Sequence, residues 1–291
     1  MATNVKSTKT KNLRPTSAGV RGTRIVRYKN TITTNKPLKS LVKGRKNRAG
    51  RNSAGRITVR HQGGGNKKNL RDIDFMFFDK AGIPAKVEHL EYDPHRSGFI
   101  ARVVYADGER RYMLAPQAVK IGTTLMTDEN APVKPGNRLP VSKIPVGTFV
   151  YNIELKPKGG AKIARSAGVF AEVVAHDGDT AQIKMPSSEV RIVSGDAWAS
   201  VGEVSNPEHR LRNLGKAGRS RHMGIRPTVR GSAMNPVDHP HGGGEGKQGR
   251  GHRRQRTMWG KPSGKGQKTR KVKKYSDVHI VSRRKVGKRR K

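Results

Sequence analysis

Residues 99–114 read FIARVVYADGERRYML. Residues 99–105 are rich in β-branched and aromatic side chains, which favour a strand, and Asp107-Gly108 is a strong signal for the turn of a β-hairpin. The pattern predicts that a strand over 99–105 turns at this pair and returns as a second strand over 109–114. This hairpin is the starting point for a mainly β fold.

Similar runs occur on both sides of the hairpin. Further short strands are predicted over 73–78, 149–155, 169–175, 180–185 and 189–193. Asp177-Gly178 predicts a second hairpin, and a Pro- and Gly-rich passage at 131–147 separates the two sets of strands. Because short strands at close spacing are typical of barrels and sandwiches, we expect two small β-barrels in series. A short helix is predicted near 208–214.

Charge divides the chain into three parts. Residues 1–71 hold 20 Lys and Arg and no acid, residues 72–205 have a net charge of −1, and residues 206–291 have a net charge of +22. All six Phe lie in the central part, so only this part has the apolar content to bury a core. We expect barrels over 72–130 and 131–205 between two basic extensions of irregular backbone, ordered only by a partner.

The net charge of +41 in 291 residues indicates a polyanionic partner. Nucleic-acid phosphates offset the self-repulsion of such a chain. An anionic membrane is the rival surface, but the sequence has no run of ~18 apolar residues and no basic amphipathic helix. The absence of cysteine excludes disulfides, thiolate metal sites and cysteine nucleophiles. Residues 1–30 are basic and rich in Ser and Thr, a composition similar to that of a transit peptide.

Residues 60–68, RHQGGGNKK, place three glycines between cations. Glycine lets a backbone approach a phosphate closely, and the flanking Lys and Arg add charge. The spacing differs from that of a nucleotide P-loop, which needs a Lys followed by Ser or Thr. The motif therefore predicts contact with nucleic-acid phosphates and no nucleoside triphosphate site.

Two arginines stand on predicted turns of the near-neutral centre. Arg96 lies in 93–98 (DPHRSG) and Arg165 lies in 164–168 (ARSAG). Arginine binds phosphate through two parallel hydrogen bonds and also stacks on bases. For each residue the alternative is a surface arginine held by an ion pair within the fold.

Residues 234–246, MNPVDHPHGGGEG, carry two His, one Asp and one Glu. Such a set suits a metal site or an acid/base pair, and both stay open as alternatives. The two Pro and three successive Gly favour instead an irregular loop that packs on nucleic acid, with His and Asn as donors. Further on, Trp259 and Tyr275 stand among cation clusters, either to stack on bases or to dock on the protein itself.

Together these motifs resemble a known family, the large-subunit ribosomal protein two (uL-two) family in its bacterial and organellar form. The resemblance runs from about residue 11 to the C-terminus, so we expect no transit peptide. It rests on the segments 11–22 (KNLRPTSAGVRG), 55–65 (GRITVRHQGGG), 82–84, 90–97 (LEYDPHRS), 107–112 (DGERRY), 144–147 (IPVG), 164–168 (ARSAG), 214–217 (LGKA), 226–231 (RPTVRG) and 233–246 (AMNPVDHPHGGGEG).

The resemblance implies an oligonucleotide-binding-type barrel followed by an SH3-like barrel, with extensions threaded into rRNA. It implies a structural constituent of the large ribosomal subunit and not an enzyme: a protein that supports RNA-catalysed peptidyl transfer, subunit association and tRNA binding. The expected partners are large-subunit (23S-type) rRNA, small-subunit rRNA at an intersubunit bridge, nearby tRNA and other ribosomal proteins, without a membrane. No cofactor or metal is expected beyond Mg²⁺ associated with rRNA. The expected location is the large subunit in a bacterial cytoplasm or an organelle.

The matching motifs also imply roles for single residues. Arg96 and Arg165 correspond to RNA-binding arginines of the family, and His239 corresponds to the histidine implicated in peptidyl-transferase activity. Because the catalyst in that setting is RNA, we expect His239 to be a supporting residue and no side chain to be catalytic. The residues expected to bind rRNA are Arg56, Arg60, His61, Lys67, Lys68, Arg96, Arg165, Arg230, Asn235, His239 and His241.

The chain departs from the family pattern in two places. Residues 247–258 and the run after Arg284 are more basic than usual, and family contacts are not carried over to them. Two other hypotheses remain: a non-ribosomal architectural protein of nucleic acids, and a His/Asp hydrolase or metalloenzyme.

Overall fold

The computed structural model describes residues 10–246, 249–264 and 267–284. The chain forms two compact units, each built from discontinuous sequence. The first unit comprises Met1–Lys46, Lys67–Lys216 and Val278–Lys291, and the second comprises Asn47–Asn66 and Ala217–Asp277. No helix in the described part of the chain combines the length and the apolar character that crossing a membrane requires.

Strands supply most of the regular structure in the described residues. In chain order they are β1 (Thr10–Asn12), β2 (Arg24–Val26), β3 (Val42–Lys43), β4 (Leu70–Arg71), β5 (Ala85–Glu91), β6 (Ile100–Tyr105), β7 (Arg110–Leu114), β8 (Thr124–Leu125), β9 (Arg138–Pro140), β10 (Phe149–Tyr151), β11 (Ile153–Glu154), β12 (Ala161–Ile163), β13 (Ala171–Asp177), β14 (Thr180–Lys184), β15 (Val190–Ser194), β16 (Trp198–Val201), β17 (Gln255–Arg256), β18 (Pro262–Ser263) and β19 (Ile280–Ser282).

Helices are short in the same residues. The α-helices are α1 (Ala18–Arg21) and α2 (Ala217–His222). Turns of 3-10 helix occupy Tyr28–Asn30, Lys39–Leu41, Phe78–Lys80, Val141–Lys143, Pro207–Leu211, Gly231–Ala233 and Tyr275–His279. The fold is therefore mainly β, as the sequence predicts.

The first sheet of the first unit has the strand order β7-β6-β5-β8, with antiparallel neighbours. The hairpin predicted at Asp107-Gly108 is confirmed, since β6 turns into β7 there. Gly108 adopts a φ of 84°, which glycine takes without steric cost. Alternate residues of the strands face the core, where Val87 and Val103 are buried with Phe99.

The second sheet of the first unit has the strand order β19-β15-β14-β13-β10-β16-β9. The hairpin predicted at Asp177-Gly178 is confirmed between β13 and β14. Val150 and Ile183 lie fully buried in the core of this sheet. Strand β19 comes from the predicted C-terminal extension and pairs with β15, so part of that extension belongs to the second sheet.

Two predictions of local structure are wrong, and one long strand was not predicted. Residues 73–78 form no strand, because the side chain of Asp74 accepts the backbone N–H groups of Met76 and Phe77, and Phe77 has a φ of +65°. Strand β5 was not predicted: Ala85 and Val87 alternate with polar residues, but a register shift between Val87 and His89 breaks the pattern before Leu90. The helix expected at 208–214 is instead a 3-10 turn, and α2 begins three residues after its expected end.

The N-terminal segment differs in part from the irregular backbone predicted for it. Tyr28 and Ile32 pack against the core of the first sheet. Thr33 exchanges backbone and side-chain hydrogen bonds with Leu90 at the end of β5. The sheet offers apolar and polar partners that local sequence does not reveal. The domain boundaries given above stay a prediction.

Candidate nucleic-acid interface

In the first unit, Arg96 and Arg165 lie against the same aromatic ring. The Arg96 guanidinium carbon is 5.3 Å from the centroid of the Phe75 ring, and that of Arg165 is 4.5 Å from it. The two turns that carry these arginines are far apart in sequence, and the ring brings them together through cation–π contacts.

Asp93 fixes one of the two arginines. Its carboxylate is fully buried and accepts the Nε–H of Arg96 at 2.6 Å and the backbone N–H of His95 at 2.9 Å. This leaves the terminal nitrogens of Arg96 as donors beside the Phe75 ring. Asp93 therefore acts as a positioning residue, in a turn that the DPHRSG sequence predicts.

Arg165 carries its charge without a carboxylate partner among the described residues. Its guanidinium donates to the backbone oxygen of Ala161 at 3.1 Å. Burial and the positive charge of Arg96 lower the pKa of Arg165. Two like charges held together near an apolar ring favour the approach of an anion.

The two arginines line an open cleft of about 580 Å³. Phe75, His95 and Lys162 line it as well. The Nε2 atom of His95 is buried and has no hydrogen-bond partner in the described protein. The cleft thus presents three cations and an imidazole, and it suits a phosphate group.

In the second unit, the glycines of 60–68 pack against backbone. The N–H of Gly63 donates to the Gly224 oxygen at 2.7 Å, and Asn66 donates to the His222 oxygen at 2.9 Å. A Cβ on Gly65 would lie 2.7 Å from the Gly224 nitrogen, whereas one on Gly64 would meet nothing within 4 Å. Of these three glycines, only Gly64 has open space at its Cα, and its carbonyl oxygen accepts a hydrogen bond from the Asn47 side chain at 2.6 Å.

The loop over 233–246 also closes on itself. Gly242 donates to the His239 oxygen at 2.8 Å, and Gly243 donates to the Met234 oxygen at 3.2 Å. The His239 ring packs on Gly231, where an added Cβ would come within 2.5 Å of it, and its Nδ1 accepts the His241 N–H at 3.0 Å. The loop therefore has a fixed irregular shape, as its Pro and Gly content predicts.

Three histidine rings form a cluster beside this loop. The centroids of His239 and His241 are 4.7 Å apart, and those of His241 and His252 are 5.9 Å apart. The Nε2 of His241 accepts the backbone N–H of Arg256 at 3.0 Å. Desolvation, followed by neighbouring positive groups, lowers the pKa of His241. In the described residues, no group of three or more His, Cys, Asp or Glu is arranged to hold a metal ion.

Two protein-family models match the chain. Residues 38–127 match "Ribosomal Proteins L2, RNA binding N-terminal domain", and residues 134–260 match "Ribosomal Proteins L2, C-terminal domain". Together they cover well over half of the sequence. The chain belongs to the ribosomal protein L2 family. It is therefore a structural protein of the large ribosomal subunit that binds rRNA, and not a classical enzyme.

The L2 domain models agree with the fold. The first corresponds to the sheet predicted as an oligonucleotide-binding-type barrel, and the second to the SH3-like barrel. The Arg96 and Arg165 cleft takes one arginine from each matched region, so it lies where the two L2 domains meet within the first unit.

The predicted rRNA-binding residues of this L2 chain fall into separate groups. Arg96 and Arg165 share a cleft, and Asn235, His239 and His241 share a loop. Arg60 lies 5.7 Å above the Trp259 ring, which stays 74% exposed, so both alternatives for this tryptophan remain predictions. His61 accepts the Arg226 N–H through its backbone oxygen. Elsewhere Arg56, Lys67 and Arg230 are exposed and Lys68 is half-buried.

Sequence reasoning missed three residues of the cleft. Lys162 and Phe75 escaped because neither stands in a turn with an arginine. A backbone hydrogen bond, donated by Ala161 to the Phe75 oxygen at 2.9 Å, holds their two segments together. His95 could have been predicted from the sequence, because it directly precedes Arg96 in the same turn.

Proposed function

We propose that the Arg96 and Arg165 cleft of this L2 protein binds a phosphate group of large-subunit rRNA. The observation that carries the proposal is the pair of guanidinium groups on the Phe75 ring. Arginine stacked on a ring presents its donors in a fixed fork, which matches two phosphate oxygens. Little side-chain entropy is then lost when the phosphate binds.

The surroundings of the two arginines support the same proposal. Lys162 adds a third cation, and Asp93 is engaged with Arg96 at 2.6 Å. His95 supplies a buried Nε2 without a partner in the described residues. A phosphate or a 2′-hydroxyl of RNA would satisfy that nitrogen, and leaving it unpaired costs free energy.

We propose a wider role for the second unit. The 233–246 loop packs against rRNA near the peptidyl-transferase region, and the protein contributes to subunit association and tRNA binding. Its further partners are small-subunit rRNA at an intersubunit bridge and nearby tRNA. The fixed shape of the loop and the +22 charge of residues 206–291 support this role.

We also propose the type of ribosome and the cellular location in which the protein acts. The protein acts in a ribosome of bacterial type in the cytoplasm, and Mg²⁺ accompanies the rRNA without a dedicated site on the protein. His239 orders the loop, because its ring packs on Gly231 and its Nδ1 accepts the N–H of His241. We propose that Arg56, Arg60, His61, Lys67, Lys68, Arg230, Asn235 and His241 also contact the RNA.

Binding of the full chain to large-subunit rRNA over a range of salt concentrations tests the cleft. Arg96→Ala and Arg165→Ala should each weaken binding and reduce the slope of log affinity against log salt by about one. Arg110→Ala is the matched control. Arg110 is an exposed cation on strand β7 of the first sheet, and it forms an ion pair with Glu88 at 3.2 Å.

The result that contradicts the proposal is an unchanged affinity and salt slope in both cleft variants. Circular dichroism of each variant identifies a loss of fold. Sedimentation of the tagged protein tests the wider role. Stoichiometric presence in large subunits at moderate salt supports it, and loose association with many RNAs supports the architectural alternative.

A further inference from the structure

An aromatic pair lies in the first unit, away from the arginine cleft. The rings of Tyr28 and Tyr92 stack with centroids 5.4 Å apart and an angle of 26° between their planes. Tyr92 is 41% exposed, although it is a large ring at the end of a buried strand. The stack leaves part of the Tyr92 ring open to solvent, where a further ring can stack on it.

The ring beneath Tyr92 is held in place. Tyr28 packs edge-on against Phe99 at 5.6 Å. Burial, then the nearby Tyr92, raises the pKa of Tyr28, and Arg212 forms a hydrogen bond with its side chain. The pair is therefore a supported platform, ready before any ligand arrives.

A pocket of about 270 Å³ opens beside this platform. Thr33, Thr34 and Asn35 line it with Lys29. Thr33 is bonded to Leu90 of β5, which anchors this rim to the sheet. The Asn35 side chain is exposed. None of the described residues that line the pocket is acidic.

We propose that this pocket binds an unpaired nucleobase of the rRNA. The base stacks on Tyr92, its polar edge meets Asn35, and Lys29 faces its phosphate. Single-stranded bases are bound in this way, by an aromatic face with hydrogen-bonding groups and a cation around it. The inference rests on the proposed function, since it requires that the protein bind rRNA. A protein segment would leave Lys29 and the basic N-terminal segment without a counter-charge.

Affinity of the full chain for large-subunit rRNA tests the proposal. Tyr92→Leu should weaken binding roughly 5- to 150-fold, the range for loss of one stacked base, while Tyr92→Phe should bind almost as wild type. The salt slope should stay unchanged, because no phosphate contact is removed. Phe149→Leu is the matched control: it is 42% exposed and lies 4.5 Å from Phe170, in an aromatic pair on the second sheet.

The outcomes separate this proposal from the proposal that the Arg96 and Arg165 cleft binds phosphate. If wild type binds and Arg96→Ala changes the salt slope while Tyr92→Leu binds as wild type, the platform is overturned and the cleft stands. If Phe149→Leu weakens binding as much as Tyr92→Leu, the platform is also overturned.

A measurement on the wild-type complex avoids any question of folding. Ultraviolet cross-linking followed by mass spectrometry should find a nucleotide adduct on Tyr92. Adducts on other residues, with none on Tyr92 or Tyr28, overturn the proposal.

Discussion

Arg138 and Glu154 form an ion pair that is almost completely removed from solvent. Their side chains are 1% and 0% exposed, and Nη2 lies 2.7 Å from Oε1. Arg138 also donates to the backbone oxygen of Asn152 at 2.7 Å, and its guanidinium lies 4.6 Å from the centre of the Phe77 ring. Because Phe77 belongs to the core of the first sheet, the pair joins the two barrels.

Removal of one partner of this pair should unfold the first unit at a lower denaturant concentration. We expect Glu154→Gln to lower the free energy of unfolding by about 3–5 kcal/mol, because the charge of Arg138 is left buried without a partner. Lys184 and Glu172 form an exposed pair at 2.9 Å, and Glu172→Gln should cost no more than about 1 kcal/mol. An equal loss in the free energy of unfolding for both variants, measured by chemical denaturation, would contradict the difference expected between the buried and the exposed pair.

Asp93 offers a test of the cleft that changes no cation. Removing an acid from a protein that binds a polyanion normally raises its affinity. Asp93→Asn should instead lower the affinity for rRNA, because Arg96 loses the carboxylate that orients it at 2.6 Å. The control is Asp72→Asn, which removes an exposed acid paired with Lys43. Binding measured at one low salt concentration decides the matter, and tighter binding by Asp93→Asn would remove Asp93 from the site.

Neighbouring glycines should respond differently to alanine. Gly65→Ala places a methyl group 2.7 Å from the Gly224 nitrogen, at a φ of +64° that disfavours a side chain. We expect it to destabilise the second unit by about 1–3 kcal/mol. Gly64→Ala meets nothing within 4 Å and should leave stability nearly unchanged. Limited proteolysis of residues 217–246 reports on the second unit, and equal cleavage of both variants would argue against the packing role.

The His241 hydrogen bond should weaken in acid. Its Nε2 accepts the N–H of Arg256, and its pKa is lowered in the folded state. The unfolded chain then binds more protons, so this contribution to stability is complete above the unfolded pKa of about 6.5 and is lost as the pH falls through the lower folded pKa. Hydrogen exchange of the Arg256 amide should become faster on acidification. His241→Asn keeps an acceptor that does not titrate and should lose most of this dependence; constant protection in wild type would contradict it.

His239 should matter for order and not for proton transfer. We expect His239→Ala to impair assembly or peptidyl transfer, because it removes the ring that packs on Gly231 and accepts the His241 N–H. His239→Gln retains a hydrogen-bonding group and should keep part of the activity. In fully assembled particles, the pH profile of peptidyl transfer should keep its shape in both variants. Loss of a titration near neutral pH with His239 would show acid/base participation instead.

Sequence predicted the parts of this fold that depend on local chemistry. The hairpins at Asp107-Gly108 and Asp177-Gly178 are confirmed, because an Asp-Gly turn between β-branched runs carries its own geometry. The strand predicted at 73–78 failed because one side chain, that of Asp74, captures two backbone N–H groups. The strand propensity of the residues does not account for a side chain that competes for backbone hydrogen bonds.

In the candidate site, too, local sequence predicted the turns but not the contacts between distant segments. Arg96 and Arg165 were found from their turns, but their shared ring was not. Phe75 was assigned to a strand, and nothing in its sequence neighbours indicates that arginines from two domains converge on it. Tyr28 likewise stands in a basic segment whose composition predicts no packing, and its partners Tyr92 and Phe99 lie more than sixty residues away.

Strand β19 has a consequence for biosynthesis. It pairs with β15 along the edge of the second sheet, yet the two strands are separated in chain order by residues 195–279, which include the longer segment of the second unit, Ala217–Asp277. During translation, β15 leaves the exit tunnel with its outer N–H and C=O groups unpaired, and its partner is made about ninety residues later. An uncovered edge is a template for aggregation. A nascent chain stalled before residue 280 would therefore carry that open edge until its basic segments found RNA.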